Sequence, residues 1–187
     1  VWKHREARSR GWIRTLDTQP SSEDIGDIAV VQDEGDIMIP ANAFDLKTTA
    51  LAFTKNAGGG YDIRRGDPAF RETLGRRLSL GDDDSASFEV PFSVSFFGRS
   101  FTSAFVNSDG NLTFVEADHA STDRSVTRYL SGPPRVALFF GDLDPSAGGG
   151  VFLNTQSDVF TVTWCNVPGF DESRTLTAQL VVQRDGL

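Results

Sequence analysis

Cysteine is almost absent: Cys165 stands alone, so no disulfide forms within this chain of 187 residues. That leaves export open, since a disulfide is no requirement for it. Histidine is nearly as scarce, with His4 and His119 only, and nucleophilic catalysis needs a base within reach of a Ser, Thr or Cys. No run approaches the roughly 18 apolar residues of a membrane-spanning helix, which argues against membrane insertion. No signal-peptide pattern is visible, and a start at Val1 reads as a form that has already lost a targeting segment. Helical periodicity is also nearly missing. The best candidate follows Asp67-Pro68, a capping residue followed by proline at the first helical position. Phe70, Leu74 and Leu78 then recur every four residues, with Gly75 limiting the helix to one or two turns.

What is present is phenylalanine, 15 residues of it, in a chain that is 39% hydrophobic and so able to bury a core. Phe and Val suit pleated, half-buried strands. In "FEVPFSVSFFG" the alternate residues Phe88, Val90, Phe92, Val94 and Phe96 form one apolar face, and Pro91 predicts an edge or bulge position. Residues 28–31 and 36–39 are read as one hairpin, and residues 51–54 and 61–64 as another, joined through Gly58-Gly59-Gly60. The run "RVALFFGDLDP" reads as a central strand. Residues 151–154 and 160–167 form a further hairpin after Gly148-Gly149-Gly150, with Trp164 and Cys165 on opposite faces and a buried thiol expected. Leu176, Ala178, Leu180 and Val182 line one face of a last strand. Short strands at this spacing predict an all-β fold, an antiparallel β-sandwich with short N-terminal hairpins and little helix. Neither glycine triplet is followed by the Lys-Ser/Thr or the helix that a phosphate loop needs.

Charge is unevenly spread. Residues 1–14 carry five basic groups and one acid, while the remainder holds 13 Lys and Arg against 25 Asp and Glu. An acidic body argues against nucleic acid as a partner. The division expected is a basic arm over residues 1–24, a β-hairpin extension over 25–80 and a sandwich over 81–187. The final Asp185-Gly186 is a hairpin-turn dipeptide, which predicts an incomplete last hairpin and an edge left for a partner strand.

Residues 81–187 resemble the nidogen-like (NIDO-type) extracellular domain, particularly the versions in large exported bacterial proteins. "LGDDDS", "VPFSVSFFGRSFTSAFVNSDGNLTF", "ALFFGDLDPSAGGGVFLN" and "FTVTWCNVPGF" carry the resemblance, in the family's order. It implies a β-rich, extracellular or cell-surface, non-catalytic module that makes adhesive or protein contacts.

Few side chains offer chemistry. His119 lies beside Asp118 and Asp123 in "EADHASTDRS", without the G-x-S-x-G elbow of a serine hydrolase, so no catalytic or cofactor-binding residue is assigned and no enzyme is expected. Asp82, Asp83 and Asp84 precede the Phe strand, and Asp142 and Asp144 follow the "ALFF" run. If the two segments meet, their carboxylates repel unless a cation neutralises them. Calcium, which takes about 6–8 oxygens, is the candidate cofactor. Asn111-Leu112-Thr113 matches a glycosylation acceptor, but Asp109-Gly110 before it is first a tight turn between strands holding Val106 and Leu112. Trp2, Arg5, Arg8, Arg10 and Trp12 in the basic arm are candidate interaction residues. Besides the contact module, two further readings are carried. One is a self-assembling subunit of an extracellular filament or surface layer, using the basic arm and the open strand edge. The other is an accessory domain of a larger secreted hydrolase.

Overall fold

Alternating Phe and Val give residues 85–96 one apolar face, and the fold covers that face with a second sheet. The computed structural model describes residues 22–24, 29–31, 46–66, 69–119 and 125–184. The chain divides into two units at Lys47/Thr48. In the first, β1 (Ser22–Asp24) pairs antiparallel with β2 (Ala29–Val31). Residues 36–39, expected to pair with residues 28–31, lie outside the described residues. So do Trp2, Arg5, Arg8, Arg10 and Trp12.

The second unit opens with the expected hairpin, β3 (Ala50–Lys55) against β4 (Tyr61–Gly66). Asn56 organises its turn, its side-chain oxygen accepting from the Gly58 and Gly60 amides at 3.0 and 3.1 Å. Two four-stranded antiparallel sheets follow. One has the order β6 (Ser85–Phe96), β7 (Arg99–Asn107), β8 (Asn111–Thr113), β9 (Arg135–Ala137). The other has the order β12 (Thr175–Gln183), β11 (Val159–Pro168), β10 (Gly150–Thr155), β5 (Arg76–Leu78). A single apolar core lies between them: Phe88, Val90, Phe92, Val94 and Phe96 from the first sheet meet Phe160, Val162, Trp164, Leu180 and Val182 from the second. Phe88 and Phe160 pack edge to face with centroids 5.2 Å apart. The all-β sandwich expected from the sequence is the fold found.

Pro91 sits as expected. β6 borders its sheet, and its register with β7 breaks between Glu89 and Val94. Three other expectations are corrected. The helix after Asp67-Pro68 is not formed: residues 69–75 carry no regular structure and Leu78 belongs to β5. The strands hold that segment from outside. Gln179 Oε1 accepts from the Arg71 amide at 2.8 Å while its Nε2 donates to the Arg71 carbonyl at 3.1 Å, and Asn154 Nδ2 donates to the Thr73 carbonyl at 2.9 Å. Those backbone groups are thereby taken from a helical ladder, and Gly75 at φ +83° leaves helical geometry altogether.

The "RVALFF" run is not a central strand but a border strand of three residues. The Gly110 carbonyl accepts from both Leu138 and Phe139 amides, at 3.1 and 3.2 Å, and this pulls the chain out of the ladder after Ala137. Cys165 is only half-buried, because Trp164 beside it takes the core side of β11 with none of its surface exposed. The one helix among the described residues is short, α1 (Val126–Ser131), started by Ser125, whose Oγ accepts from the Arg128 amide at 3.2 Å.

Candidate functional site

The chemistry-bearing residues gather around the turn between β7 and β8. Asn107 and Asn111 are paired across it, and Ser108, Asp109 and Gly110 form the loop, with Gly110 at φ +81°. The sequence reads as a tight turn, and in the fold Asn107, Ser108, Asp109 and Asn111 are all at most 2% exposed. Buried polar groups of this kind need partners, and here the partners are neighbouring loops. The Ser108 amide donates to the Asp84 carbonyl at 2.9 Å, and its Oγ accepts from the Asp84 amide at 3.1 Å. Asp109 Oδ1 accepts from the Leu143 amide at 3.1 Å. Asn107 Oδ1 accepts from the Asp118 amide at 3.0 Å, its Nδ2 donates to Asn111 and Thr113, and its carbonyl accepts from Trp164 Nε1 at 3.0 Å. Asn111 and Thr113 have no exposed surface, which closes the glycosylation acceptor to any modifying enzyme in the folded protein.

These straps bring the two acidic segments together. Ligand oxygens of Asp82, Asp83 and Asp142 all lie within 4.8 Å of one another. The other two candidates are occupied locally. Asp84 accepts from the Gly81 amide at 3.1 Å and the Ser85 amide at 2.7 Å, and Asp144 accepts from the Ser146 amide at 2.8 Å. Desolvation first, then the charges of Asp83, Asp144 and Asp142, push the Asp82 carboxyl above the usual carboxylate range. The trio is a concentrated negative charge with hard oxygen donors. Three such oxygens are fewer than the about 6–8 that calcium takes.

A second polar cluster adjoins it, with little local signal in the sequence. Asp118 is buried, and its two oxygens pair with different arginines: Oδ1 with Arg128 Nη2, and Oδ2 with Arg135 Nη1 at 2.6 Å. Both guanidinium groups also lie 5.0 Å from the Phe140 ring centroid. Burial holds both arginines below their usual pKa, and the Arg135 charge adds to this for Arg128, opposed by Asp109 and Asp83. The only local signal was Ser125 as a helix cap placing Arg128 one turn on. His119 is exposed, and its Nδ1 lies 3.1 Å from the Asp83 carbonyl oxygen. That oxygen only accepts, so this nitrogen carries the proton. With Asp118 committed to the arginines, a Ser–His–Asp relay through Asp118 is not assembled.

Among the described residues no helix is long and apolar enough to cross a membrane. No curated protein and no solved structure matches the chain. The NIDO-related family model matches residues 60–183, from β4 to the end of β12, and so takes in both sheets of the sandwich. Such domains are typically non-catalytic and of an extracellular, protein-interacting type. With about two thirds of its length inside that match, the chain belongs to the NIDO-related family and carries a nidogen-like domain.

Proposed function

We propose that this protein is a non-catalytic, exported or cell-surface β-sandwich module that mediates adhesion or protein–protein contacts. The observation that carries the reading is the family match across the whole two-sheet framework. The site chemistry supports it: the buried hydrogen bonds and ion pairs around Asn107, Asp109 and Asp118 join loops to one another. Exposed apolar side chains, including Phe97, Leu130 and Phe170, offer contact surface on loops and the short helix. The test is location and binding together. Protease treatment of intact cells of the source should degrade the protein, and the purified chain should bind immobilised surface proteins from those cells. Full protection inside an intact cytoplasm would overturn the reading.

A further inference from the structure

Side chains alternate along β11, and Phe160, Val162 and Trp164 take the core side. Thr161 and Thr163 therefore face outward, away from the other sheet. Even so, they are only 3% and 0% exposed. The segment ahead of β5 lies over them. Its Arg71 backbone is held by the side chain of Gln179, and its Thr73 carbonyl by that of Asn154. Gln179 is paired with Thr163 in the sheet and Asn154 with Thr161, so residues 71–73 cross the outer face as a strap above both threonines. Gly75 ends the strap tightly against β10, where a Cβ would collide with the Leu153 carbonyl oxygen.

The two threonines differ in one respect. Thr163 Oγ1 accepts from Gln179 Nε2 at 2.9 Å. Thr161 is as deeply buried, but its hydroxyl bonds no protein group among the described residues, and a buried hydroxyl needs a partner. It lines a cleft between the strap and the sheet, together with Arg71, Glu72, Asn154, Gln156 and Val159. The Arg71 guanidinium, the Glu72 carboxylate and the Gln156 amide side chain likewise bond no protein group among the described residues.

The chemistry of this lining defines what fits it. Arg71 only donates, Glu72 only accepts, and the Thr161 hydroxyl and Gln156 amide do both. One positive and one negative charge cancel, and Val159 is the one apolar side chain of the lining. The matching ligand is uncharged, polar around its whole rim, and donates and accepts at neighbouring positions, as a ring of hydroxyls does. The cleft holds about 250 Å³, less than the about 300–1,000 Å³ of sites for drug-sized molecules, which suits one sugar ring. The strap is already tied to Gln179 and Asn154, so binding need not order it first.

We propose that this cleft binds one hexose or N-acetylhexosamine unit of a glycan. Thr161 and Gln156 read its hydroxyls from the sheet side, and Arg71 and Glu72 read them from the strap side. The proposal rests on the contact-module reading and supplies the chemistry of an adhesive partner.

Titration of the isotope-labelled full chain with methyl glycosides of glucose, galactose, mannose and N-acetylglucosamine, followed by amide chemical shifts, tests it. At least one glycoside should give saturable shifts centred on residues 71–73, 154–156 and 161, with a Kd on the order of 1 mM. Thr161→Val keeps the side-chain shape and removes the hydroxyl, and it should weaken that binding at least about ten-fold. Glu72→Gln, on an exposed side chain, should do the same and decides the matter if Thr161→Val fails to fold. Three results sink the proposal: no saturable shift with any glycoside up to on the order of 50 mM, shifts gathered elsewhere on the fold, or binding unchanged in the variants. Shifts produced by free alanine and by none of the glycosides sink it too, since Arg71 and Glu72 would then be reading opposite charges instead of hydroxyls. Each of these leaves the contact-module reading standing, because that reading falls on cellular location instead.

Discussion

Asp118 gives each carboxylate oxygen to a different arginine, and Arg135 in particular is 4% exposed at its side chain. Removing the acid leaves two guanidinium groups beside the same ring, Phe140, with their shared counter-charge gone. Breaking a buried ion pair from one side costs about 3–5 kcal/mol, because the remaining charge is left uncompensated. Asp118→Ala should therefore lower Tm on the order of 10 °C. A loss of only about 2 °C would show that the arginines find other partners. Asp82 works in the opposite sense. Its carboxyl binds a proton more tightly in the folded protein than in the unfolded chain, so the folded state holds the extra proton between the ordinary Asp range and the raised value. Stability contributed by this group thus falls as pH rises through that window and is regained below it. The side chain is exposed, so the effect is small. Asp82→Asn should raise Tm by about 1–2 °C at neutral pH in chelating buffer, with the gain vanishing in acid. An unchanged Tm would mean that solvent already screens the three carboxylates. The same melt with calcium in place of chelator reads whether a cation relieves the repulsion, since wild type should then catch up with the variant.

At the scale of elements, the β7–β8 turn is where local conformation and tertiary contact meet. Gly110 and Gly98 both hold positive φ, +81° and +75°, yet a Cβ at Gly98 meets nothing within 4 Å. One at Gly110 would stand 2.7 Å from Phe139 Cβ. Gly98→Ala should cost about 1 kcal/mol, the backbone term alone. Gly110→Ala should cost clearly more and disturb the loop from Leu138 to Asp144, a difference that denaturant melts of the two variants will show. Equal costs would mean that the loop yields freely. The contrast also explains what could be read in the chain. The alternation of Phe88 through Phe96 and the turns at Gly58-Gly59-Gly60 and Asp109-Gly110 reported local geometry, so their strands and hairpins were legible. The short β9 was not, because what ends it is the Gly110 carbonyl, some 28 residues away in sequence. The same holds for residues 69–75, where a helical spacing lost to hydrogen bonds from Gln179 and Asn154. The acidic site was half legible. Turn-borne aspartates can be named from sequence, but that Asp82 and Asp83 meet Asp142 while Asp84 caps its own loop is decided by the buried Ser108 and Asp109.

For the whole molecule the question is how much chain the sandwich needs. Among the described residues the buried core runs from Leu78 to Val182, and Tyr61 packs against it from β4. Its Oη donates to the Ser95 carbonyl at 3.3 Å, and its ring meets Phe97 edge to face at 5.4 Å. Among the described residues no core residue comes from before Thr48, so residues 48–187 should fold alone with a cooperative melt within about 4 °C of the full chain. A cut after Ser79 is different in kind. It removes β5, which pairs Leu78 with Val151, takes a side chain only 4% exposed out of the core, and opens the edge of β10 from Val151 to Leu153. Loss of a buried Leu alone costs about 2–5 kcal/mol, and the bared edge adds a template for aggregation. Residues 80–187 should therefore melt on the order of 10 °C below residues 48–187, or fail to stay soluble. If the shorter fragment matched the longer one, β5 would be an ornament on a complete sandwich. If instead residues 48–187 failed to fold, the first unit would hold part of the core that the sandwich requires.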